Sequence, residues 1–208
     1  ISIPNLINKG FFTNGLLKAN AESNPLVKPG HTARYMAELK IFKEAIELGH
    51  DKVLILEDDV TFRKDFVDKI KKMWSELPKD FDIFWLDFDN EYTDKRKHLV
   101  SKPFSKHLII PAPKQGWFKN TYFQTGAYGY IISKRAMKIY LKYALPMTAA
   151  ANAQLGLLGF GKQWDWQNDG SLKIKSIPAK DKLKVYAAHP RLLKAQTERS
   201  STSSNNMH

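Results

Sequence analysis

The chain has 208 residues, 43% of them hydrophobic and 12% aromatic, enough for one substantial core but too few for two ordinary domains. It contains no cysteine, which excludes disulfides and thiolate metal sites. Lys and Arg number 33 against 21 Asp and Glu, and the formal net charge of +12 favours anionic partners: nucleotide diphosphates, nucleic acid or an acidic membrane surface.

Residues 1–32 are rich in Asn, Gly, Pro and Lys and read as loop, with one short strand at Ile1–Ile3. The opening Ile1-Ser2-Ile3-Pro4 lacks the charged region and apolar core of an intact signal peptide. No apolar run approaches bilayer-spanning length, so the chain reads as soluble, with the cytoplasm the expected compartment. Met36, Leu39, Phe42 and Ile46 recur at helical spacing, and Gly49 ends that helix.

Val53-Leu54-Ile55-Leu56 reads as a strand buried on both faces, and it runs without a linker into Glu57, Asp58 and Asp59. Three like charges at a strand end repel one another unless something positive sits there. A hard cation, Mg²⁺ or Mn²⁺, takes oxygen ligands and bridges to phosphates, and ligands of open α/β sheets bind beyond the carboxyl ends of the strands. This pattern points to a metal-dependent site for a phosphorylated substrate. The structural alternative is that Asp58 or Asp59 caps the following helix, with Thr61.

Phe62, Phe66, Ile70, Met73 and Trp74 form the next helical stripe, which ends before Pro78. Its Lys69, Lys71 and Lys72 read as a solvated polar face. Ile83–Leu86 is a second buried strand, and it too ends in carboxylates, Asp87 and Asp89. Strand, helix and strand at this length suggest a parallel βαβ unit, hence an α/β fold.

Residues 90–106, with the basic cluster Lys95-Arg96-Lys97, read as a surface loop, and His107–Ile110 as a short strand. Gly116-Trp117-Phe118 tips another loop, where Trp117 either stacks on sugar or anchors the loop in the core. Thr121–Ile132 is strand-like. Ser133 is an N-cap for a helix through Ala136, Ile139, Tyr140 and Tyr143, broken by Pro146. Residues 147–158 read as helix up to a flexible Gly159-Phe160-Gly161, followed by strands at 172–177 and 183–188. The Ser/Asn-rich 200–208 reads as a flexible tail or linker after a single domain over 1–199.

Three segments in this order carry a family resemblance: Leu54–Val60, then Thr125–Ser133 leading into Ala136, then Lys184-Val185-Tyr186 with Pro190 and Gln196. With Asp82–Leu86 and Asp165-Trp166, they make residues 33–204 resemble glycosyltransferase family 25, which includes lipooligosaccharide and collagen galactosyltransferases. The resemblance implies a GT-A fold: a Rossmann-like, mixed, mostly parallel central sheet flanked by helices, with a metal at its carboxyl edge. It also implies a UDP-sugar donor, a glycan or glycoprotein acceptor, transfer of a hexose-type sugar with inversion, and no nucleic-acid partner.

In that scheme Glu57-Asp58-Asp59 fills the place of the DxD motif. Asp59 binds Mn²⁺ or Mg²⁺, Glu57 or Asp58 faces the ribose or the metal's waters, and Thr125, Gly126 and Ala127 lie near the donor sugar. His189 stands where related enzymes complete the metal shell, though a surface His before Pro190 fits equally. The family's small-residue and Ser-His pattern in the first helix is replaced by Ala33-Arg34 and Ala37-Glu38, and the start of the chain keeps only Ile3-Pro4-Asn5-Leu6 of the usual opening. The Lys/Asn-rich composition suits the trimmed enzymes of this type in large DNA viruses of algae and amoebae.

The reaction asks for charge stabilisation at a departing diphosphate and for a base on the opposite face. Arg191, Lys194 and Lys28 are candidates for the first. Asp165 is the first choice of base, because flanking Trp164 and Trp166 would raise its pKa; Asp87 is the second. A basic nucleic-acid-binding protein, a metal-dependent phosphoesterase and an inactive sugar-binding module are the alternatives. Oligomeric state stays open.

Overall fold

Short helix α1 (Asn14–Lys18) starts where the Thr13 hydroxyl accepts from the Leu16 amide at 3.2 Å. The structure is a computed structural model that describes residues 8–19, 29–87, 102–111, 114–115, 122–123 and 128–195. The expectations for Ile1–Ile3, Lys28, Asp89, the basic cluster 95–97, the Trp117 loop, Thr125–Ala127, Gln196 and the tail lie outside those residues. Helix α2 (Pro29–Glu47) begins earlier than its apolar stripe and buries Tyr35, Glu38, Leu39, Phe42 and Ala45. The chain turns at Gly49, where φ is +82°, a left-handed conformation that favours glycine.

Strand β1 (Lys52–Leu56) follows as expected but is an edge strand. Leu54 and Leu56 are 47% and 39% exposed, so the expectation of burial on both faces is corrected: only Val53 and Ile55 face the core. An unbroken apolar run does not distinguish a central strand from an edge one. The capping alternative for the acidic triplet also falls. Asp58 and Asp59 turn the chain directly into strand β2 (Val60–Phe62), and helix α3 (Phe66–Glu76) starts only after Asp65. Phe62 therefore belongs to a strand, and Trp74 of the expected stripe is exposed.

Strand β3 (Ile83–Trp85) is buried throughout. Short strands β4 (Lys102–Pro103), β5 (Leu108–Ile110), β6 (Lys114–Gln115) and β7 (Tyr122–Phe123) precede β8 (Gly129–Ser133). Ser133 then caps helix α4 (Lys134–Tyr143) through a 3.1 Å bond from the Ala136 amide. Helix α5 (Ala151–Gly159) leads to the hairpin β9 (Lys162–Trp166) and β10 (Leu172–Ser176), and β11 (Val185–Ala188) and β12 (Leu193–Ala195) complete the described chain. No helix among the described residues is long and apolar enough to cross a membrane.

The central sheet runs β1-β8-β3-β11-β5-β4. Strands β1 and β3 share a direction, as a βαβ unit requires, but β8 pairs antiparallel with both and lies between them. Among the described strands only β3 and β11 are parallel neighbours. The sheet is thus mixed, and the expectation that it is mostly parallel is corrected. Pairing is decided by strands far apart in sequence, which local periodicity does not report.

Side chains alternate across the sheet. Ile83, Trp85, Tyr130, Ile132 and Ala187 face α2, α4 and α5, in a core that includes Phe42, Met137 and Tyr140. Phe84, Leu86, Leu108, Ile131 and Ala188 face the other way, under Met73 and Leu77 of the α3 segment and under Leu192 and Leu193. A fully buried side chain of this size contributes roughly 1.5–3 kcal/mol, so β3, with both faces covered, is the anchor of the fold.

Candidate active site

The ends of β1 and β3 that carry Glu57 and Asp87, and the end of β11 that leads to His189, lie at one edge of this sheet. The register Leu56↔Gly129 sets Glu57 beside Tyr128, and the Glu57 amide donates to the Tyr128 carbonyl at 2.9 Å. The parallel register between β3 and β11 ends at Ala187↔Trp85, so both strands finish at the same edge, just before Asp87 and His189. The chain then crosses this edge: Leu192 donates to the Leu86 carbonyl at 2.6 Å, and Arg63 donates its amide to the Leu192 carbonyl at 3.1 Å. That crossing puts Arg191 close enough to Asp87 to act on its charge. Gly129 lets the Leu193 and Leu56 side-chain ends close over the strand, and a Cβ there would have to displace both.

Asp87 is 2% exposed. It accepts from the Tyr128 amide at 2.9 Å and the Gly129 amide at 3.4 Å. Burial pushes its pKa up to about 6, against the lowering pull of those amides and of Arg191. Glu57 is also raised, mainly by burial, with Asp59 and Asp87 adding repulsion and Arg34 opposing them. Glu57, Asp59 and Asp87 therefore share one electrostatic neighbourhood. Asp58 is exposed. The Asp59 Oδ1 is buried and has no hydrogen-bond partner among the described residues.

An acceptor oxygen stripped of water and left unpaired costs free energy unless a ligand completes it. That orphan is the observation that fits a cation. Among the described residues no three His, Asp or Glu side chains are gathered into a ready-made metal cage. Mg²⁺-type ions often take one or two carboxylates and complete their shell with substrate phosphates and water, so an open carboxylate edge suits them. His189 is exposed and donates its amide to the His107 carbonyl at 2.9 Å; it stands at the right edge but not in a ligand cluster.

Asp165 behaves differently from expectation. On β9 its neighbours Trp164 and Trp166 point into the core, where the Trp166 indole donates to the Thr148 carbonyl at 2.8 Å. Asp165 points to the opposite face, pairs with Lys175 Nζ at 2.7 Å and accepts from Gln167 at 2.6 Å. The Lys175 bond holds its pKa below the usual carboxylate range, so the expected rise is corrected. Residues adjacent in a strand occupy opposite environments, and cross-strand Lys175 decides this one.

The structure adds residues whose role sequence reasoning missed. Arg34 reaches from α2 to Glu57 at 2.6 Å and lies 3.7 Å from Glu38. Glu38 is 5% exposed, and burial pushes its pKa up to about 7. The Tyr130 hydroxyl lies beside it, outside good hydrogen-bond geometry. The available signal was an acid at a core-facing helical position between Tyr35 and Phe42. Thr125, Gly126 and Ala127 lie outside the described residues.

Comparison with known proteins places this edge in a family. Residues 12–154 match the model for glycosyltransferase family 25 (LPS biosynthesis protein), a stretch that contains Arg34, the acidic triplet and Asp87. The chain is also similar to procollagen galactosyltransferase 2 of Mus musculus, at 31% identity over 81 residues, which is 39% of this chain and 12% of that protein. It thus spans a small part of the length of the curated relative it matches. With the family matched over well more than half its residues, this chain belongs to glycosyltransferase family 25.

Proposed function

We propose that the chain is a metal-dependent glycosyltransferase of GT-A type, moving a hexose-type sugar from a UDP-sugar to a hydroxyl of a glycan or glycoprotein with inversion. Family membership and a relative named as a galactosyltransferase support the reaction class. The observation that carries the rest is the carboxylate edge, with its buried, unpartnered Asp59 Oδ1.

Asp59 would hold Mn²⁺ or Mg²⁺, with His189, just past the end of β11, a further ligand. When bound, the cation supplies positive charge to the departing diphosphate. Arg191, at the same edge, adds a fixed cation for that anion. Asp58 faces solvent and is placed to meet the ribose or the metal's waters. Thr125, Gly126 and Ala127, which lead into Tyr128, are assigned to the donor sugar.

Asp87 takes precedence over Asp165 as the base. Its pKa of about 6 lets it stay ionised at neutral pH and still accept a proton from an acceptor hydroxyl. Asp165 is ion-paired on a hairpin outside the central sheet, and its lowered pKa makes it a poor proton acceptor.

Calorimetric titration of UDP, GDP and CDP with and without Mn²⁺ tests this reading. Uridine selectivity, metal dependence and a loss of roughly tenfold or more in Mn²⁺ affinity in Asp59→Ala are expected. Equal binding of the three nucleotides, or binding indifferent to metal, overturns it.

A further inference from the structure

Acidic strand ends need a counter-charge, and this chain supplies one of its own. Arg34 lies on α2, its guanidinium 2.6 Å from Glu57 and its Nε 3.7 Å from Glu38, one turn further along the same helix. Glu38 is almost wholly buried, and its Oε2 has no hydrogen-bond partner among the described residues. A carboxylate in that position cannot move far: Tyr130 faces it and the α2 core packs around it. Arg34 is therefore gripped from behind by a fixed acid and reaches forward to a second one.

We propose that Arg34, held by Glu38, is a resident counter-charge that fixes Glu57 and keeps it out of the cation's ligand shell, leaving Asp59 and Asp87 to face the ligand. This assignment rests on the nucleotide-sugar reading of the site. It makes Arg34 and Glu38 positioning residues rather than catalytic ones.

The charge balance predicts effects of opposite sign. Removing the guanidinium leaves Glu57 unneutralised and makes the edge more negative by one charge. A divalent cation alone then binds more tightly, and an anionic nucleotide binds more weakly. A residue that merely supported the fold would weaken both. Because Arg34 and Glu57 are both partly exposed, each effect is modest, about three- to fivefold, and shrinks in high salt.

The experiment measures Mn²⁺ alone, and UDP at saturating Mn²⁺, by calorimetry on wild type, Arg34→Gln and Arg34→Lys, with circular dichroism to verify folding. Arg34→Gln is expected to tighten Mn²⁺ and weaken UDP. Arg34→Lys keeps the charge without the planar fork and is expected to restore the Mn²⁺ affinity. If Arg34→Gln moves both affinities in one direction, or neither, the proposal is overturned while the nucleotide-sugar reading stands. A folded wild type that binds neither Mn²⁺ nor UDP overturns both.

Discussion

Strand β3 carries a buried aspartate at each end, and the two are held in opposite ways. Asp82, at the amino end, is 1% exposed. It accepts from the Ser133 hydroxyl at 3.1 Å and the Lys184 amide at 2.8 Å, and it forms an ion pair with Arg135. Asp87, at the carboxyl end, is buried as deeply; among the described residues it accepts from the Tyr128 and Gly129 amides and forms no ion pair, with Arg191 acting on it only from a distance, and its pKa rises to about 6. Equal burial thus gives one saturated, structural carboxylate and one with capacity left over. Buried charge that is fully paired ties elements together; buried charge left short of partners is available for chemistry.

The largest break in this comparison should come from Asp87→Asn. Sugar transfer is expected to fall by about 10²–10³-fold, the range typical of losing a general base. Its effect on stability should depend on pH. The folded chain holds an extra proton on Asp87 between the ordinary carboxylate range and about pH 6, so this group's contribution to stability falls as pH rises through that window and is flat above it. In metal-free buffer Asp87→Asn should therefore compare with wild type about 1–2 kcal/mol more favourably at pH 8 than at pH 4, on top of a pH-independent cost for setting its NH2 against one of the two amides that Asp87 accepts from. Urea melts at the two pH values check this.

Asp82→Ala should show the reverse behaviour. It strands the Lys184 amide and unpairs Arg135, which is half exposed, so a loss of about 2–3 kcal/mol in urea unfolding is expected. Transfer per folded molecule should be unchanged; a large drop would show that the two ends of β3 are not separate in function.

The smallest effect is expected at Asp165. Its pair with Lys175 is largely exposed, so Asp165→Asn should change stability by less than about 1 kcal/mol and transfer by less than about twofold. A loss comparable to Asp87→Asn would return the role of base to Asp165.

Local patterns carried much of this picture. Four apolar residues ahead of Glu57 located β1, the run at Ile83 located β3, and Ser133 marked the start of α4 as its cap. The acidic triplet pointed to the candidate site, because three carboxylates at one strand end need a ligand or a counter-charge wherever the strand lies. The pKa direction of Asp165 is not legible in the sequence, because its sequence neighbours are tryptophans while its spatial neighbour is Lys175, ten residues away across a hairpin. The insertion of β8 between β1 and β3 was invisible for the same reason.

By itself the sequence determined where β1, β3 and the start of α4 lie, where acid accumulates and which family the motifs resemble, since these depend on near neighbours along the chain. Only the tertiary structure decided which acid is satisfied. Among the described residues Arg34 pairs with Glu57 and Arg135 with Asp82, while Asp87 accepts from backbone amides without an ion pair and the Asp59 Oδ1 has no hydrogen-bond partner. Burial and pairing of a charge are set by residues that meet only when the chain closes on itself, and those two quantities separate a structural carboxylate from one that can act.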